Sequence, residues 1–170
     1  MRLVIIGGDA AGMSAASRFK RKAPETEVVV LEQTQDVSYS ACGMPYNIAA
    51  PSRPIDDLVV RSAKVFRDKM GIDLRLEHKV TGIAPDIKQV RGETAGEAFS
   101  LNYDKLLIAT GASPIMPDIP GLDRAGVMPL KSLEHGRGIK EYLAAHTVDK
   151  AVIMGMGYVG LEMAETLRER

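Results

Sequence analysis

A single cysteine, Cys42, stands in the segment Ser38-Tyr39-Ser40-Ala41-Cys42-Gly43-Met44-Pro45-Tyr46. One thiol cannot close an internal disulfide, so it is either buried, as free cysteines commonly are, or reactive. Pro45 suits the first turn of a helix, which predicts Cys42 at a helix start, where peptide dipoles favour a thiolate. With Gly43 and Pro45 beside it, the reactive reading is preferred: a sulfur that attacks a disulfide, persulfide or peroxide and is then re-reduced. Two glycine turns, Gly7-Gly8-Asp9-Ala10-Ala11-Gly12 and Gly155-Met156-Gly157-Tyr158-Val159-Gly160, add a second kind of chemistry. Each follows an apolar run and opens a helix-permissive stretch, and such a turn aims backbone N–H groups and a helix N-terminus at a pyrophosphate.

The first turn has Glu32 about twenty residues on, at the end of the next apolar run, where an acid can take a ribose hydroxyl. Asp9 occupies the place of the middle glycine, where a carboxylate would crowd and repel the pyrophosphate. We expect it to turn away and cap the following helix by accepting from the N–H of Ala11 or Gly12. The second turn keeps all three glycines. Either turn alone could be a tight connection that binds nothing; two together point to two dinucleotides, a hydride donor and a flavin that receives the hydride. The acid that would separate NAD from NADP lies beyond Arg170.

The elements that must position these groups follow from apolar periodicity. Leu3 to Ile6, the helix to Ala23, and Val28 to Leu31 make a βαβ unit of a parallel sheet. Leu58 to Met70 reads as an amphipathic helix closed by Gly71, and the alternation from Ile72 to Leu101 as a small antiparallel meander. Leu106 to Ala109 has the form of a central buried strand, and Pro114, Pro117 and Pro120 stiffen a connector. Leu133 to Ala145 reads as helix, and Ala151 to Met154 as the strand entering the second glycine turn. The fold class is α/β: a Rossmann-like parallel sheet with a small meander over residues 1–113, a connector over 114–121, and over 122–170 the start of a second Rossmann-like domain.

Twenty-two basic and twenty-two acidic residues give no net charge, which argues against a nucleic-acid partner. No run approaches the ~20 apolar residues that span a bilayer, and one cysteine suits a reducing compartment, so a cytoplasmic protein is expected. His78, His135 and His146 lack metal-ligand spacing, and no metal is expected.

Gly7 to Ala16, the loop Ser38 to Tyr46, Leu107-Ile108-Ala109-Thr110-Gly111-Ala112, and Gly155 to Glu162 together resemble the single-cysteine group of flavoprotein disulfide reductases. That group includes coenzyme A-disulfide reductases, NADH-dependent persulfide reductases, and NADH oxidases and peroxidases. The resemblance implies that Gly7, Gly8, Ala11, Gly12, Glu32, Gln33, Thr110 and Gly111 serve FAD, and that Cys42 is the redox thiol. It further implies that Gly155, Gly157, Tyr158, Gly160 and Glu162 serve NAD(P)H; for Tyr158 and Glu162 the plain alternative is a helix-start aromatic and a solvated acid. Ser38 and Tyr39 would lie near a substrate, and Arg18 and Arg21 would take coenzyme A phosphates, unless they simply form a solvated basic face with Lys20 and Lys22.

Oxidases and peroxidases of the group resemble one another in a histidine within the first glycine turn, a place held here by Ala10. The resemblance therefore implies a reductase of a small disulfide or persulfide, with coenzyme A the leading thiol. The alternatives are an NADH oxidase or peroxidase cycling Cys42 through a sulfenic acid, and a flavin-dependent reductase of a ferredoxin- or rubredoxin-like protein. Members of the group continue into the rest of the NAD domain, a second FAD segment and a dimerisation domain. These 170 residues are thus expected to be an amino-terminal part of a homodimeric enzyme, with weak FAD retention on their own.

Overall fold

Leu3-Val4-Ile5-Ile6 and Val28-Val29-Val30-Leu31 are apolar at every position, and strands of that kind need cover on both faces. A computed structural model describing residues 1–170 provides it. Along the chain run β1 (Arg2–Ile6), α1 (Ala10–Lys22), β2 (Glu27–Leu31), α2 (Met44–Ala49), α3 (Ala63–Met70), β3 (Asp73–Arg75), β4 (Lys79–Ala84), β5 (Gln89–Thr94), β6 (Glu97–Asn102), β7 (Lys105–Ile108), α4 (Leu133–Ala145) and α5 (Tyr158–Glu169). They form two compact units, residues 1–39 with 59–111 and residues 40–58 with 112–170.

In the first unit four parallel strands lie in the order β3-β2-β1-β7, with Val4 opposite Val29 on one side and Leu106 on the other. Alternate side chains point to opposite faces. Leu3, Ile5, Val28 and Val30 therefore meet Met13 and Ala16 of α1, Phe66 of α3, and Leu74. Val4, Ile6, Val29 and Leu31 meet Val90, with Phe99 and Leu101 packed alongside. Helices thus cover one face and the antiparallel meander β4-β5-β6 covers the other. In the second unit α2, α4 and α5 share a small core of Ile48, Ile139 and Met163.

Four sequence expectations change. The helix expected from Leu58 begins at Ala63, because Ile55–Leu58 is a 3-10 turn and Val59 is drawn into an antiparallel bridge with Tyr39; Gly71, with φ +61°, does close it. The first segment assigned to the meander belongs to the main sheet: Leu74 pairs in parallel with Val30, since the reversal at Gly71 returns the chain beside β2. The apolar run at Leu106 forms an edge strand, paired only with β1, and Ile108 is 60% exposed. Ala151 to Met154 forms no strand. A strand needs a neighbour to take its N–H and C=O groups, none lies beside this run, and Val152 is 83% exposed.

Phe66 is the largest fully buried side chain and ties α3 to the sheet. Phe66→Ala is expected to lower unfolding stability by about 3–5 kcal/mol, read from the shift of the urea midpoint at constant slope; a loss below about 1 kcal/mol would contradict this packing.

Candidate functional site

The first glycine turn lies at the carboxyl ends of β1, β2 and β7, the edge where open α/β sheets bind ligands. Gly7 has φ +108°, a conformation natural to glycine. A Cβ on Gly7 would collide with the Ala109 carbonyl, and one on Gly12 with the Gly7 carbonyl. The backbone therefore closes on itself so tightly that α1 starts immediately above the strand. The Gly7 N–H donates to the Leu31 carbonyl at 2.8 Å, joining the turn to β2. Ala11 is exposed in the first turn of α1, and Thr110 and Gly111 are exposed just past β7. Gly7's missing Cβ would lie 3.2 Å from the Thr110 nitrogen.

Glu32 directly follows β2 and is 8% exposed. Its Oε2 accepts from the Gly8 N–H at 2.7 Å, and its Oε1 from both the N–H and the hydroxyl of Thr34, each at 2.8 Å. Each carboxylate oxygen can accept two donors, so Oε2 retains room for a hydroxyl. A turn with no space for side chains, a helix start and a held carboxylate together fit the pyrophosphate and ribose of a dinucleotide. Gln33 follows, exposed.

Asp9 departs from expectation. It occupies the N-cap position of α1 but makes no capping hydrogen bond, and its Oδ1 is buried without a partner. Its charge acts instead on Tyr39. Burial, then the carboxylates of Asp9, Glu32 and Asp36, push the Tyr39 phenol up to about 12. Ser38, just before it, has φ +49°, held by its N–H donating to Gly8 and its carbonyl accepting from Val60.

Five side chains line a groove of about 260 Å³ in the first unit with groups suited to an anion: Ser14, Ser17, Arg21, Ser38 and Arg61. No acidic residue lines it. The groove takes Arg21 but not Arg18, which is exposed elsewhere on α1. Arg61 escaped the sequence reading. It lies forty positions from Arg21 with no shared periodicity, and only the fold brings it here, its guanidinium 5.5 Å from the centre of the Phe66 ring.

In the second unit Cys42 is exposed, in a 3-10 turn (Ala41–Gly43) that runs into α2. Burial as a structural thiol is thereby excluded, and Pro45 sits in the first turn of α2 as its sequence implies. Cys42 stands four positions after Ser38 along the chain. The second glycine turn repeats the geometry of the first: Gly155 has φ +110°, and a Cβ on Gly160 would collide with the Gly155 carbonyl. Gly157 caps α5, Tyr158 is 89% exposed, and Glu162 lies one turn later, half-buried.

Residues 1–170 match the pyridine nucleotide-disulphide oxidoreductase family. The chain belongs to that family. The NAD(P)H coenzyme A polysulfide/persulfide reductase of Pyrococcus horikoshii is 44% identical over 164 residues, 96% of this chain and 36% of that protein. An NADH oxidase of Methanocaldococcus jannaschii is 33% identical over 171 aligned positions, 100% of this chain and 38% of that protein. The solved structure of a NAD-dependent persulfide reductase from A. fulgidus superposes with a TM-score of 0.94 at 39% identity, over 99% of this chain and 32% of that one. The chain thus spans little more than a third of the length of the curated relatives it matches. The expected α/β fold and membership among pyridine nucleotide-disulphide oxidoreductases are borne out, and with membership come FAD and NAD(P)H as working cofactors. No helix is long and apolar enough to cross a membrane.

Tyr39 generates a prediction. Its folded phenol ionises at about 12 against an ordinary 10.0, so the stability it contributes is complete below pH 10 and is lost as pH rises from 10 toward 12. A near-ultraviolet absorbance titration should contain one phenol ionising near pH 12 that disappears in Tyr39→Phe; an identical titration in the variant refutes the assignment.

Proposed function

We propose that this protein is an FAD-dependent NAD(P)H:disulfide oxidoreductase acting on a disulfide or persulfide through Cys42, with coenzyme A as the thiol carrier. The observation that carries the reading is an exposed Cys42 on a chain whose Ser38, four residues earlier, lines the Arg21–Arg61 groove. Guanidinium groups hold phosphates by paired, charge-assisted hydrogen bonds, and a groove free of carboxylates suits the phosphorylated end of coenzyme A. The P. horikoshii relative, named for coenzyme A polysulfide and persulfide, supports the same substrate class.

In this reading residues 1–113 form the FAD-binding segment, 114–121 the connector, and 122–170 the beginning of the NAD(P)-binding domain. Gly7 and Gly8, lacking side chains, would let the FAD pyrophosphate approach the backbone, Ala11 and Gly12 at the start of α1 would offer it N–H groups, Glu32 would accept from its ribose, and Gln33, Thr110 and Gly111 would border it. Gly155, Gly157 and Gly160 do the same for the pyridine nucleotide, with Tyr158 and Glu162 on its nicotinamide side. Bound there, FAD would supply the hydride-accepting chemistry that links NAD(P)H to sulfur. The Cys42 thiolate attacks a disulfide sulfur, forming a mixed disulfide and expelling one thiolate, which takes up a proton. Two electrons and one further proton then release the second thiol and regenerate Cys42. Ser38 and Tyr39 border the incoming thiol, and Arg21 anchors its phosphates, with Arg18, three residues earlier on α1 and outside the groove, as a second cation. The working protein is a cytoplasmic homodimer with neither nucleic acid nor membrane as partner.

An NADH oxidase is the second reading, favoured by the M. jannaschii relative; the alanine at position 10, in place of the histidine that the oxidases resemble one another in having, weighs against it. In the full-length enzyme, Cys42→Ser is expected to lower coenzyme A-disulfide reduction about 100-fold or more while NADH-driven reduction of a one-electron dye persists. Retained disulfide reduction would overturn the assignment. Arg21→Ala combined with Arg61→Ala is expected to raise KM for coenzyme A disulfide about tenfold with kcat little changed; an unchanged KM removes the groove from the proposal.

A further inference from the structure

α2 has only six residues, Met44–Ala49, too few to be stable without outside support. Side chains of the same unit converge on the carbonyls around this helix and the turn that follows it, where the Asn47 and Ala50 carbonyls already accept the N–H groups of Ala50 and Arg53 and have a second lone pair to offer. Lys140, on α4, directs its Nζ at the carbonyls of Asn47 (2.7 Å), Ala50 (2.7 Å) and Arg53 (2.9 Å) and at the Asn47 side-chain oxygen (3.0 Å). An ammonium has three protons, so four oxygens more than saturate it. Asn47 is itself buried at 1% exposure, and its amide donates to the Pro54 carbonyl at 2.9 Å. Arg170 donates to the Ile48 carbonyl at 2.7 Å, and the Thr166 hydroxyl of α5 to the Pro45 carbonyl at 3.0 Å.

α4 is fixed along its own length. Its start carries a capping box between Ser132 and His135. A Cβ on Gly136 would meet Ile55 at 2.9 Å, and Arg137 pairs with Asp56 at 2.6 Å. At the opposite end of α2, the 3-10 turn carrying Cys42 runs into the helix without a spacer, and a Cβ on Gly43 would meet Leu58 at 2.7 Å. The close packing at Gly43 leaves no hinge between the thiol and the helix.

We propose that Lys140 is a positioning residue for Cys42: its ammonium closes the carboxyl end of α2 and thereby fixes the turn that presents the thiol at the other end. A cation at a helix carboxyl end also opposes the negative pole of the peptide dipoles. Burial, then the neighbouring Arg170 and Arg53 cations, lower the pKa of Lys140 from its ordinary value, as expected of an ammonium drawn into structural use instead of left in solvent. The inference rests on Cys42 being the redox thiol, but it can be tested without turnover.

The test compares the unmodified chain with Lys140→Met, which removes the donors, and Lys140→Arg, which keeps the charge. The readouts are the iodoacetamide alkylation rate of Cys42 at pH 7, hydrogen exchange of amides 44–50, and circular dichroism. Because Cys42 is already exposed, access does not limit its reaction, so loosening of the ordered peptides that hold its turn should slow it. In Lys140→Met we expect alkylation slower by about threefold or more with faster exchange over 44–50 and unchanged helix content, and in Lys140→Arg a return toward the original rate. A smaller effect, acceleration, or failure of the arginine to rescue overturns the proposal. If Lys140→Met does not fold, Lys140→Gln, which keeps an amide donor, is read by the same criteria. Loss of disulfide reduction is not used as a readout, so a failure of the Cys42 redox assignment, seen with Cys42→Ser, stays separate from a failure of this inference.

Discussion

The first unit depends on a place where the backbone touches itself. Where β1 becomes α1 there is no room for a Cβ at Gly7 or Gly12, because the Ala109 and Gly7 carbonyls already occupy that volume. This contact makes the turn short, and a short turn is what brings the N–H groups at the start of α1 to the edge of the sheet. It also joins three strands at one point: Gly7 is bonded to the end of β2 and abuts the residue that follows β7. A side chain at either glycine would force this junction open, which is why the position that tolerates a non-glycine residue is Asp9.

The Glu32 carboxylate completes the junction electrostatically. A buried charge needs hydrogen bonds, and Gly8 and Thr34 supply them while fixing the direction of the remaining acceptor. Burial, reinforced by the carboxylates of Asp9, Glu32 and Asp36, then raises the Tyr39 phenol above its ordinary range. The adjoining groove, lined by Arg21 and Arg61, carries the opposite sign. Two electrostatic environments of opposite character therefore lie within the first unit, one holding protons on oxygen and the other suited to phosphate.

The second unit reuses the glycine geometry and adds a different kind of restraint. Gly160 meets the Gly155 carbonyl as Gly12 meets that of Gly7, but nothing lies against Gly155 as Ala109 lies against Gly7, and the apolar run before the turn is unpaired, because glycine spacing is local while strand pairing is not. α2 is held from outside, by a lysine, an arginine and a threonine on its carbonyls. The contrast between a turn shaped by what its own residues lack and a helix secured by what its neighbours donate separates the two units physically.

Sequence alone determined the features that rest on neighbours along the chain. The two glycine turns, the β1-α1-β2 unit, the left-handed stop at Gly71, Pro45 in the first turn of α2, and Glu32 at a strand end all follow from backbone sterics and short-range periodicity. Tertiary structure decided the rest, for identifiable reasons. Val59 could extend a helix or bridge Tyr39, and pairing across twenty residues chose the bridge. Leu74 alternates equally well in a meander or a parallel sheet, and the free edge of β2 claimed it. Asp9 could have capped α1, but the packed turn left its Oδ1 buried without a donor. Arg61 and Lys140 carry no local signature, since Arg61 lines its groove with Arg21, forty residues away, and the oxygens that Lys140 meets lie on a distant part of the chain. Local sterics are written in adjacent residues, whereas the choice among equally satisfied local states belongs to long-range packing, which becomes definite only when the chain closes on itself.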